Sequence, residues 1–505
     1  MRRVAGAAAV MAASSAVGVL LNFATQAYLA YRFGAGTDMD AYVAAMTLPA
    51  LLITVFIPSV SIVLIPIFVE TMQKNGADAA WRTASNVLNV TVLVLTAGVA
   101  VALWFADDLM RRIVPGVDAP TLTLSIALLR WLLPATILAV IAGTLAALYQ
   151  AQERFLPTAV APLIGSGVLL GTAVALTPSH GMRALAFATV LGNAAQLIYL
   201  LPVLRERYRP VVNVREAQLR KIALLLAPLL FGGLIVRATI VADRLVASLL
   251  PKGSLSHLEY AMRIAAVINA IFASGIAAAL YPPMSSQAAA SDLHRLRDTL
   301  VWGQRLLMLF LFPALAIGWV LRVPLLQLVL ERGQFTPADT LAVAAIVSWF
   351  MLGVVGGALG VLQARVYYVL KDTQTPVLLG FVETAAYFAY LPFLAKFFGA
   401  VGVGMANAVY LISALILNGV VVLRKLHSDR VLDLLGSAAR IGLYALVAGA
   451  AAWIAATAVH GSLAMLVAGT IAGVLCYGLL LYVVHAHELH VLRSLLVDVG
   501  VEDGA

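Results

Sequence analysis

DAYVAAMTLPALLITVFIPSVSIVLIPIFV, residues 40–69, is the stretch that decides the fold class of this chain. Asp40 is its only charged residue, and it stands at the very beginning. A helix needs roughly 20 mostly apolar residues to cross the hydrocarbon core of a bilayer. The stretch therefore predicts one complete transmembrane helix with an acidic residue at its start.

The same pattern recurs along the whole chain and predicts an all-α, polytopic membrane protein with fourteen spans. The N-terminal apolar run continues to about Tyr31 without a cleavage site, so it predicts a first span and not a signal peptide. The predicted spans are 8–32, 40–69, 86–106, 121–149, 156–177, 184–204, 221–250, 258–284, 301–322, 339–368, 376–397, 401–423, 438–459 and 463–485.

The composition excludes several classes of protein. Hydrophobic residues make up 62% of the chain and charged residues 11%, whereas soluble domains carry about 25% charged residues. The net charge of +9 does not indicate a nucleic-acid partner, because the basic residues are scattered among apolar spans and form no basic domain. A single cysteine, Cys476, excludes a disulfide framework.

The positions of lysine and arginine predict the orientation of the chain. Basic residues favour cytoplasmic loops, and the 205–221 connection alone carries six of the 33. The basic loops around Arg295 and Arg424 fall on the same side when the spans are counted. With an even number of spans, we expect both termini in the cytoplasm.

Internal repetition predicts the domain organisation. Tyr149 and Pro157 recur as Tyr368 and Pro376 in a similar context, 219 residues later in both cases. Two six-helix lobes in the same orientation follow, at residues 1–210 and 211–430, and then a final helix pair with a cytoplasmic tail at 431–505. Two lobes around a central site are typical of transporters, which rock one lobe against the other.

Arginines inside the spans indicate the chemistry of the cargo. An ionised side chain at mid-bilayer costs about 2.5–3.5 kcal/mol, so each one indicates a function or a partner. Guanidinium groups bind phosphate with two parallel hydrogen bonds, which favours an anionic head group. Snorkelling to the membrane surface is the structural alternative. The candidates are Arg130, Arg237, Arg244 and Arg263, of which Arg237 and Arg244 lie two turns apart on one helix.

Acidic residues are fewer within the spans. Asp243 and Glu383 lie inside predicted helices, whereas Asp40 and Glu259 lie at helix ends. Asp243 either neutralises a neighbouring arginine or contributes to a site for a coupling ion, Na⁺ or H⁺. No other cofactor is expected.

Neither a metal site nor a catalytic centre is expected. The histidines of HAHELH, residues 485–490, have spacings that do not converge on one helix face. No Ser-His-Asp set or carboxylate pair stands out, so we do not expect an enzyme.

Four motifs resemble the MurJ/MviN family of lipid II flippases, part of the multidrug/oligosaccharidyl-lipid/polysaccharide exporter superfamily. They are RFGAGTDMDAYVAAMTLPALL at 32–52, GSLSHLEYAMRI at 253–264, ERGQFTPADT at 331–340 and YYVLKDTQTPV at 367–377. They occur in both predicted lobes, and fourteen spans is the number in that family.

The resemblance implies a monomeric flippase of the bacterial inner membrane. Its substrate is a polyprenyl-diphosphate-linked saccharide, which crosses from the cytoplasmic to the periplasmic leaflet through a cavity between the lobes, by alternating access, while its tail stays among the membrane lipids. By position, Arg263 matches the family's cavity arginine, and Asp40 matches an acid at the outer start of the second span. The family's cation site implies Asp243, Glu383 and Asn407 as ligands.

The chain departs from the family in its first lobe. Where the family carries arginines on the first two spans, this chain has Val19, Thr25, Ile53 and Thr54. We therefore expect the diphosphate contacts to lie on the second lobe, mainly at Arg237 and Arg244.

Three alternatives remain at this stage. A flippase for an exopolysaccharide or O-antigen-like repeat unit fits the altered arginines. A MATE-like cation or drug antiporter would need a buried acidic cluster in the first six spans, which the sequence lacks. A scaffold that no longer transports would also explain the lost arginines.

Overall fold

The computed structural model describes residues 2–205, 207–213, 215, 217–372, 374–427 and 430–483. These residues fold into helices joined by short turns, as the predicted all-α class requires. The helices are α1 (Arg2–Phe33), α2 (Thr37–Trp104), α3 (Ala106–Ile113), α4 (Ala119–Ala151), α5 (Phe155–His180), α6 (Met182–Leu200), α7 (Ala217–Ser248), α8 (Ser254–Ala289), α9 (Leu293–Val329), α10 (Pro337–Val369), α11 (Gln374–Lys425), α12 (Val431–Thr457) and α13 (Ser462–Val483).

Two of these helices, of 68 and 52 residues, are long enough to cross a bilayer twice, and each breaks at a glycine. Gly76 interrupts α2 with φ 84°, and Gly399 interrupts α11 with φ 60°. Positive φ is readily adopted only by glycine, so the chain can reverse there without strain. Each of the two helices therefore contains two of the predicted spans. Together with the other long helices they account for all fourteen, and the predicted fold class is confirmed.

Within the described residues, ten helices are long and apolar enough to cross a membrane. They are all the helices above except α1, α3 and α8, with the last turn of α6 extended by a short 3₁₀ segment, Leu201–Leu204. The predicted spans 8–32 and 258–284 lie within α1 and α8, which extend a few residues beyond them. The short helix α3 lies between the third and fourth spans, and the apolar-length rule did not predict it.

The chain divides into two compact units, Met1–Ser256 and His257–Ala505. In the first unit α2 packs on α4 and α7, while α5 packs on α1 and α6. In the second unit α10 packs on α11, and α9 packs on α12 and α13. The units are defined by contacts and do not test the predicted lobe boundaries at residues 210 and 430, which stay a prediction.

The connection that precedes α7 is tied to the second half of α2. Asn86 donates to the carbonyl of Asn213 at 3.0 Å and accepts from the amide of the same residue at 2.9 Å. Asn89 donates to the carbonyl of Val211 at 2.9 Å and accepts from the hydroxyl of Tyr208 at 2.8 Å. These bonds satisfy backbone groups that have no helical partner. They hold a basic segment against the second half of α2, near the beginning of that half.

Small residues bring α10 against the second half of α11. A Cβ added to Gly356 would lie 2.3 Å from the carbonyl oxygen of Leu411, so the two backbones are in direct contact there. One turn along the same helix, a Cβ on Gly360 would meet nothing within 4 Å. Close helix approach through small residues is the usual way membrane helices associate.

We expect Gly356→Ala to destabilise the protein by about 1–3 kcal/mol, because the added methyl group must push two backbones apart. The matched control Gly360→Ala has free space and gains the better helix propensity of alanine, so its stability is unchanged or slightly higher. Thermal unfolding of the purified variants in detergent measures both effects. Equal midpoints for the two variants would show that the α10–α11 contact does not limit stability.

Candidate functional site

Asp40 forms the most extensively hydrogen-bonded polar site of the first unit. Its side chain is 4% exposed and accepts hydrogen bonds from the backbone amides of Gly253 at 2.7 Å and Ser256 at 2.8 Å. The hydroxyl of Ser256 donates to the same carboxylate. Gly253 directly precedes α8, and Ser256 lies in its first turn, where backbone amides lack helical partners. The carboxylate of Asp40 therefore caps α8 from a different helix, and the helix dipole favours its negative charge.

A polar cavity of about 160 Å³ lies beside this cap, within the first unit. Asp118 and Lys252 line it together with Asp40. Asp118 caps α4, and the hydrogen bonds from Thr121 hold the pKa of Asp118 below its ordinary value. The start of α2, the turn before α4 and the turn before α8 therefore meet at one point.

The turn before α4 touches the end of α7 through a glycine. The amide of Gly116 faces the hydroxyl of Ser248 at 3.4 Å, and a Cβ on Gly116 would lie 2.4 Å from the carbonyl oxygen of that serine. Sequence reasoning found Asp40 by resemblance but missed Ser256 and Gly116. The serine at the start of the predicted eighth span is the signal that could have indicated a helix cap.

Arg237 and Arg244 share a face of α7 but lie in different surroundings. Arg237 is exposed and makes no ion pair with any residue that the structure describes. Arg244 is 5% exposed, its neighbour Asp243 is 8% exposed, and both already interact with other groups. Arg237 is therefore the guanidinium of this pair that can receive a ligand, whereas Arg244 is part of the packed interior of the first unit.

Arg130 on α4 pairs with Asp107 of α3. The two side chains lie 3.4 Å apart and both are 59% exposed. An exposed ion pair of this kind contributes little to stability. The pairing favours the snorkelling alternative for Arg130, with a carboxylate of the short helix α3 as its partner.

Arg263 pairs with Glu259 one turn earlier on α8, at 2.7 Å. The glutamate is the more buried partner, and about two fifths of the arginine side chain is exposed. An acidic and a basic residue four positions apart are neighbours on a helix surface, so this ion pair can be predicted from the sequence. The carboxylate of Glu259 therefore balances part of the positive charge of Arg263, whose side chain is only partly buried.

Glu383 lies in the second unit and is 9% exposed. The amide of Asn418, on the second half of α11, donates to its carboxylate at 2.8 Å. The sequence singled out Asn407 and missed Asn418. Asn407 lies beside Gly353 of α10, where its amide oxygen would be 3.5 Å from an added Cβ.

Further polar groups surround the Glu383–Asn418 pair. Thr384 and Gln363 are 2% and 5% exposed, and each has a buried oxygen without a hydrogen-bond partner among the described residues. The hydroxyl of Tyr367 faces the carbonyl of Asn418 at 3.4 Å. The second unit therefore holds buried polar side chains near the Glu383–Asn418 pair, two of them with an oxygen that accepts no hydrogen bond from the described residues.

The remaining sequence expectations concern metals and the altered family positions. No group of three histidine, cysteine or acidic side chains forms a metal site in the described residues, and the histidines of 485–490 lie outside them. Thr25 and Thr54 donate to carbonyls of their own helices, Leu21 and Ala50, both at 2.8 Å. The first-lobe positions where the family carries arginine therefore offer no cationic contact.

The chain is similar to flippases over most of its length. The family model described as lipid II flippase MurJ matches residues 29–471. A probable lipid II flippase MurJ of Vibrio cholerae is 25% identical over 440 residues, which cover 84% of this chain and 83% of that protein. The lipid II flippase MurJ of Burkholderia cenocepacia is 24% identical over 370 residues, 70% of this chain and 71% of that protein.

Solved structures show the same fold. A lipid II flippase MurJ in an inward closed conformation superposes with a TM-score of 0.83 at 19% identity, covering 95% of this chain and 99% of the other. An inward-facing multidrug resistance MATE family transporter of the MOP superfamily gives 0.69 at 15% identity, covering 81% and 94%. Because the family model matches residues 29–471, well over half of the chain, this chain belongs to the MurJ lipid II flippase family.

Proposed function

We propose that this chain moves lipid II, a polyprenyl-diphosphate-linked saccharide, from the cytoplasmic to the periplasmic leaflet. The observation that carries the proposal is the family match over residues 29–471. The chain is a multi-pass protein of the inner membrane, and its substrate is a membrane lipid with a large anionic head group.

We infer alternating access as the mechanism. The head group binds on the cytoplasmic side, a conformational change exposes it to the other side, and the lipid tail stays in the membrane. A ligand with equal affinity for both states shifts no equilibrium, so the diphosphate contacts must differ between them. Arg237, whose side chain is exposed, is the proposed contact of the first unit, and Arg263 stays a contact that the family resemblance implies.

An exopolysaccharide repeat-unit lipid is the second candidate substrate. The observation in its favour is that uncharged residues, Thr25 and Thr54, stand where the family resemblance implies arginine, because a different head group would need different contacts in the first lobe. Both candidates carry a diphosphate, so the arginine chemistry above applies to each.

The orientation and the absence of catalysis are also part of this proposal. The basic connection 205–221 supports cytoplasmic termini through the positive-inside rule. A transporter needs no covalent chemistry on its cargo, and we infer that the chain acts as a monomer and is not an enzyme.

Asp40 is proposed to hold the periplasmic end closed. Three donors at the start of α8 converge on its buried carboxylate, so the start of α8 cannot leave α2 without breaking charged hydrogen bonds. Such bonds contribute about 1.5–3 kcal/mol each. That is strong enough to define a closed state and weak enough to be broken in each cycle.

A coupling ion is proposed at the buried cluster around Glu383. The carboxylate has one amide donor, and oxygens of Thr384 and Gln363 are unused. Oxygen ligands suit Na⁺, and a buried carboxylate can alternatively take a proton. Asp243 and Asn407 stay predictions that rest on the family resemblance alone.

Complementation of a bacterial host depleted of its own lipid II flippase tests the substrate. We expect the wild-type chain to restore growth and Arg237→Ala to lower flipping at least about tenfold, because a charged contact to phosphate is lost. The control Arg130→Ala removes an exposed ion pair and retains rescue. Failure of a well-expressed wild-type chain to restore growth would favour another lipid-linked glycan, and equal rescue by both variants would exclude Arg237 as the diphosphate contact.

Asp40→Asn tests the proposed closure. The amide keeps one acceptor but turns its NH₂ group toward backbone donors, so we expect slower flipping and a lower unfolding midpoint. Asp118→Asn, in the same cavity, is the control, because asparagine caps helices as well as aspartate does. Flipping of a fluorescent lipid in proteoliposomes gives the rates. If Asp40→Asn matches the control, the cap has no role in the cycle.

Glu383→Gln tests the coupling ion. Glutamine keeps an oxygen to accept from Asn418 but loses the charge, so we expect a folded protein whose flipping no longer responds to an imposed Na⁺ or proton gradient. Initial rates in proteoliposomes with each gradient in turn measure this response and identify the ion. A variant with the full wild-type response would place coupling elsewhere.

A further inference from the structure

An apolar groove of about 420 Å³ lies in the first unit between α2 and the first half of α7. Phe56 comes from the first half of α2, Val87 and Val94 come from the second half, and Leu226 and Leu230 come from α7. Leu219 and Arg220 lie at the end where α7 begins. The groove is thus apolar along its length and has a cation at one end.

The dimensions of the groove match one leaflet of a membrane. The lining residues of α7 extend from Leu219 to Leu230, which corresponds to about 16 Å of helix at 1.5 Å per residue. The hydrocarbon core of a bilayer is about 30 Å thick, so this length is about half of it. The groove ends where α7 meets α2, since a Cβ on Gly233 would lie 3.1 Å from Val55.

The middle of α7, which forms one wall, is only partly covered by protein. In the most apolar 18-residue stretch of α7, no residue is buried. Leu224 and Leu225, beside the lining residue Ala223, are 66% and 49% exposed. Apolar side chains that protein does not cover in a membrane helix are in contact with acyl chains, so lipid has access to this region.

The positive charge of Arg220, at the end of the groove where α7 begins, favours an anionic head group. Arg220 is exposed and makes no ion pair with any described residue. The neighbouring Lys221 pairs with Glu70 at 3.5 Å, and Arg207 stacks over the ring of Trp81 at 5.5 Å. The bonds from Asn86 and Asn89 hold this basic connection in place. Arg220 therefore places a positive charge without an ion-pair partner among the described residues at this end of the groove.

We propose that this groove binds one anionic phospholipid of the cytoplasmic leaflet, with an acyl chain between α2 and α7 and the phosphate at Arg220. Basic pockets between membrane helices on the cytoplasmic side are suited to anionic head groups. The length of the groove fits an acyl chain confined to one leaflet, whereas the tail of a polyprenyl lipid is several times longer. The site is separate from the diphosphate contacts proposed above, and a phospholipid here stabilises the packing of α7 on α2.

Thermal unfolding of the purified full chain in detergent tests the site. The probes are dioleoyl-phosphatidylglycerol and, as the zwitterionic comparison, dioleoyl-phosphatidylcholine. We expect phosphatidylglycerol to raise the midpoint by roughly 5 °C more than phosphatidylcholine does, because a ligand that binds only the folded state stabilises it. Equal shifts with both lipids would overturn the proposal.

Three variants locate the effect. Arg220→Gln removes the charge at the mouth, and Ala223→Phe fills the groove; each is expected to abolish the extra shift with phosphatidylglycerol. Arg215→Gln removes an exposed basic residue of the same connection that does not line the groove, and it keeps the extra shift. If Arg220→Gln and Ala223→Phe also keep it, the anionic lipid binds elsewhere and the proposal is wrong.

Cross-linking of the wild-type chain gives an answer that does not depend on how the variants fold. Phosphatidylglycerol with a photoactivatable acyl chain is expected to label peptides that contain residues 87–94 and 219–230. Labelling confined to other peptides would overturn the proposal. So would complete displacement of the label by equimolar undecaprenyl phosphate, because the groove would then be a site for the transported lipid's tail.

Discussion

A bilayer core offers no hydrogen-bond partners, and this constraint determines most of the structure. Every backbone amide and carbonyl within the hydrocarbon must be paired inside the chain, which leaves helices as the available solution for this sequence. The chain reverses at positions where glycine can take positive φ, such as Gly76 and Gly399. Where the backbone is neither helical nor in a tight turn, side-chain amides replace the missing partners, as Asn86 and Asn89 do for the connection before α7.

The same constraint explains why most charged side chains within the predicted spans have a partner close by. Arg130 has Asp107, Arg263 has Glu259, and Glu383 has Asn418, so these three charges within predicted spans each have a nearby group that lowers their cost. Asp40 is the most fully compensated, because three donors at the start of one helix converge on it. Arg237 differs, since no described residue neutralises it. An uncompensated cation inside a span is expensive, and a diphosphate head group is a partner that offsets the cost only while it is bound.

Much of the fold was predictable from the sequence, because apolar length and the positions of glycine are local properties. The span at residues 40–69 can be predicted without any tertiary information. So can the ion pair between Glu259 and Arg263, which are four residues apart on one helix. The partners of Asp40 and Glu383 were not predictable, because they lie 213 to 216 and 35 residues away along the chain. The helix α3 was missed because it is amphipathic and eight residues long, well below the length of a span.

Hydropathy identifies the helices but not the environment of each residue on them. Arg237 and Arg244 have the same helical phase and the same chemistry, yet one is exposed and the other is packed, because α7 leans on α2 and α3 along only part of its length. The same partial packing leaves the groove beside the first half of α7, where Leu219 and Ile222 are buried against α2 while the residues that follow are more exposed. α7 is therefore packed at both ends and more exposed along its middle, where it can shift with little loss of protein contact. In a protein that must alternate between two conformations, that makes α7 the element on which ligands at either end can act.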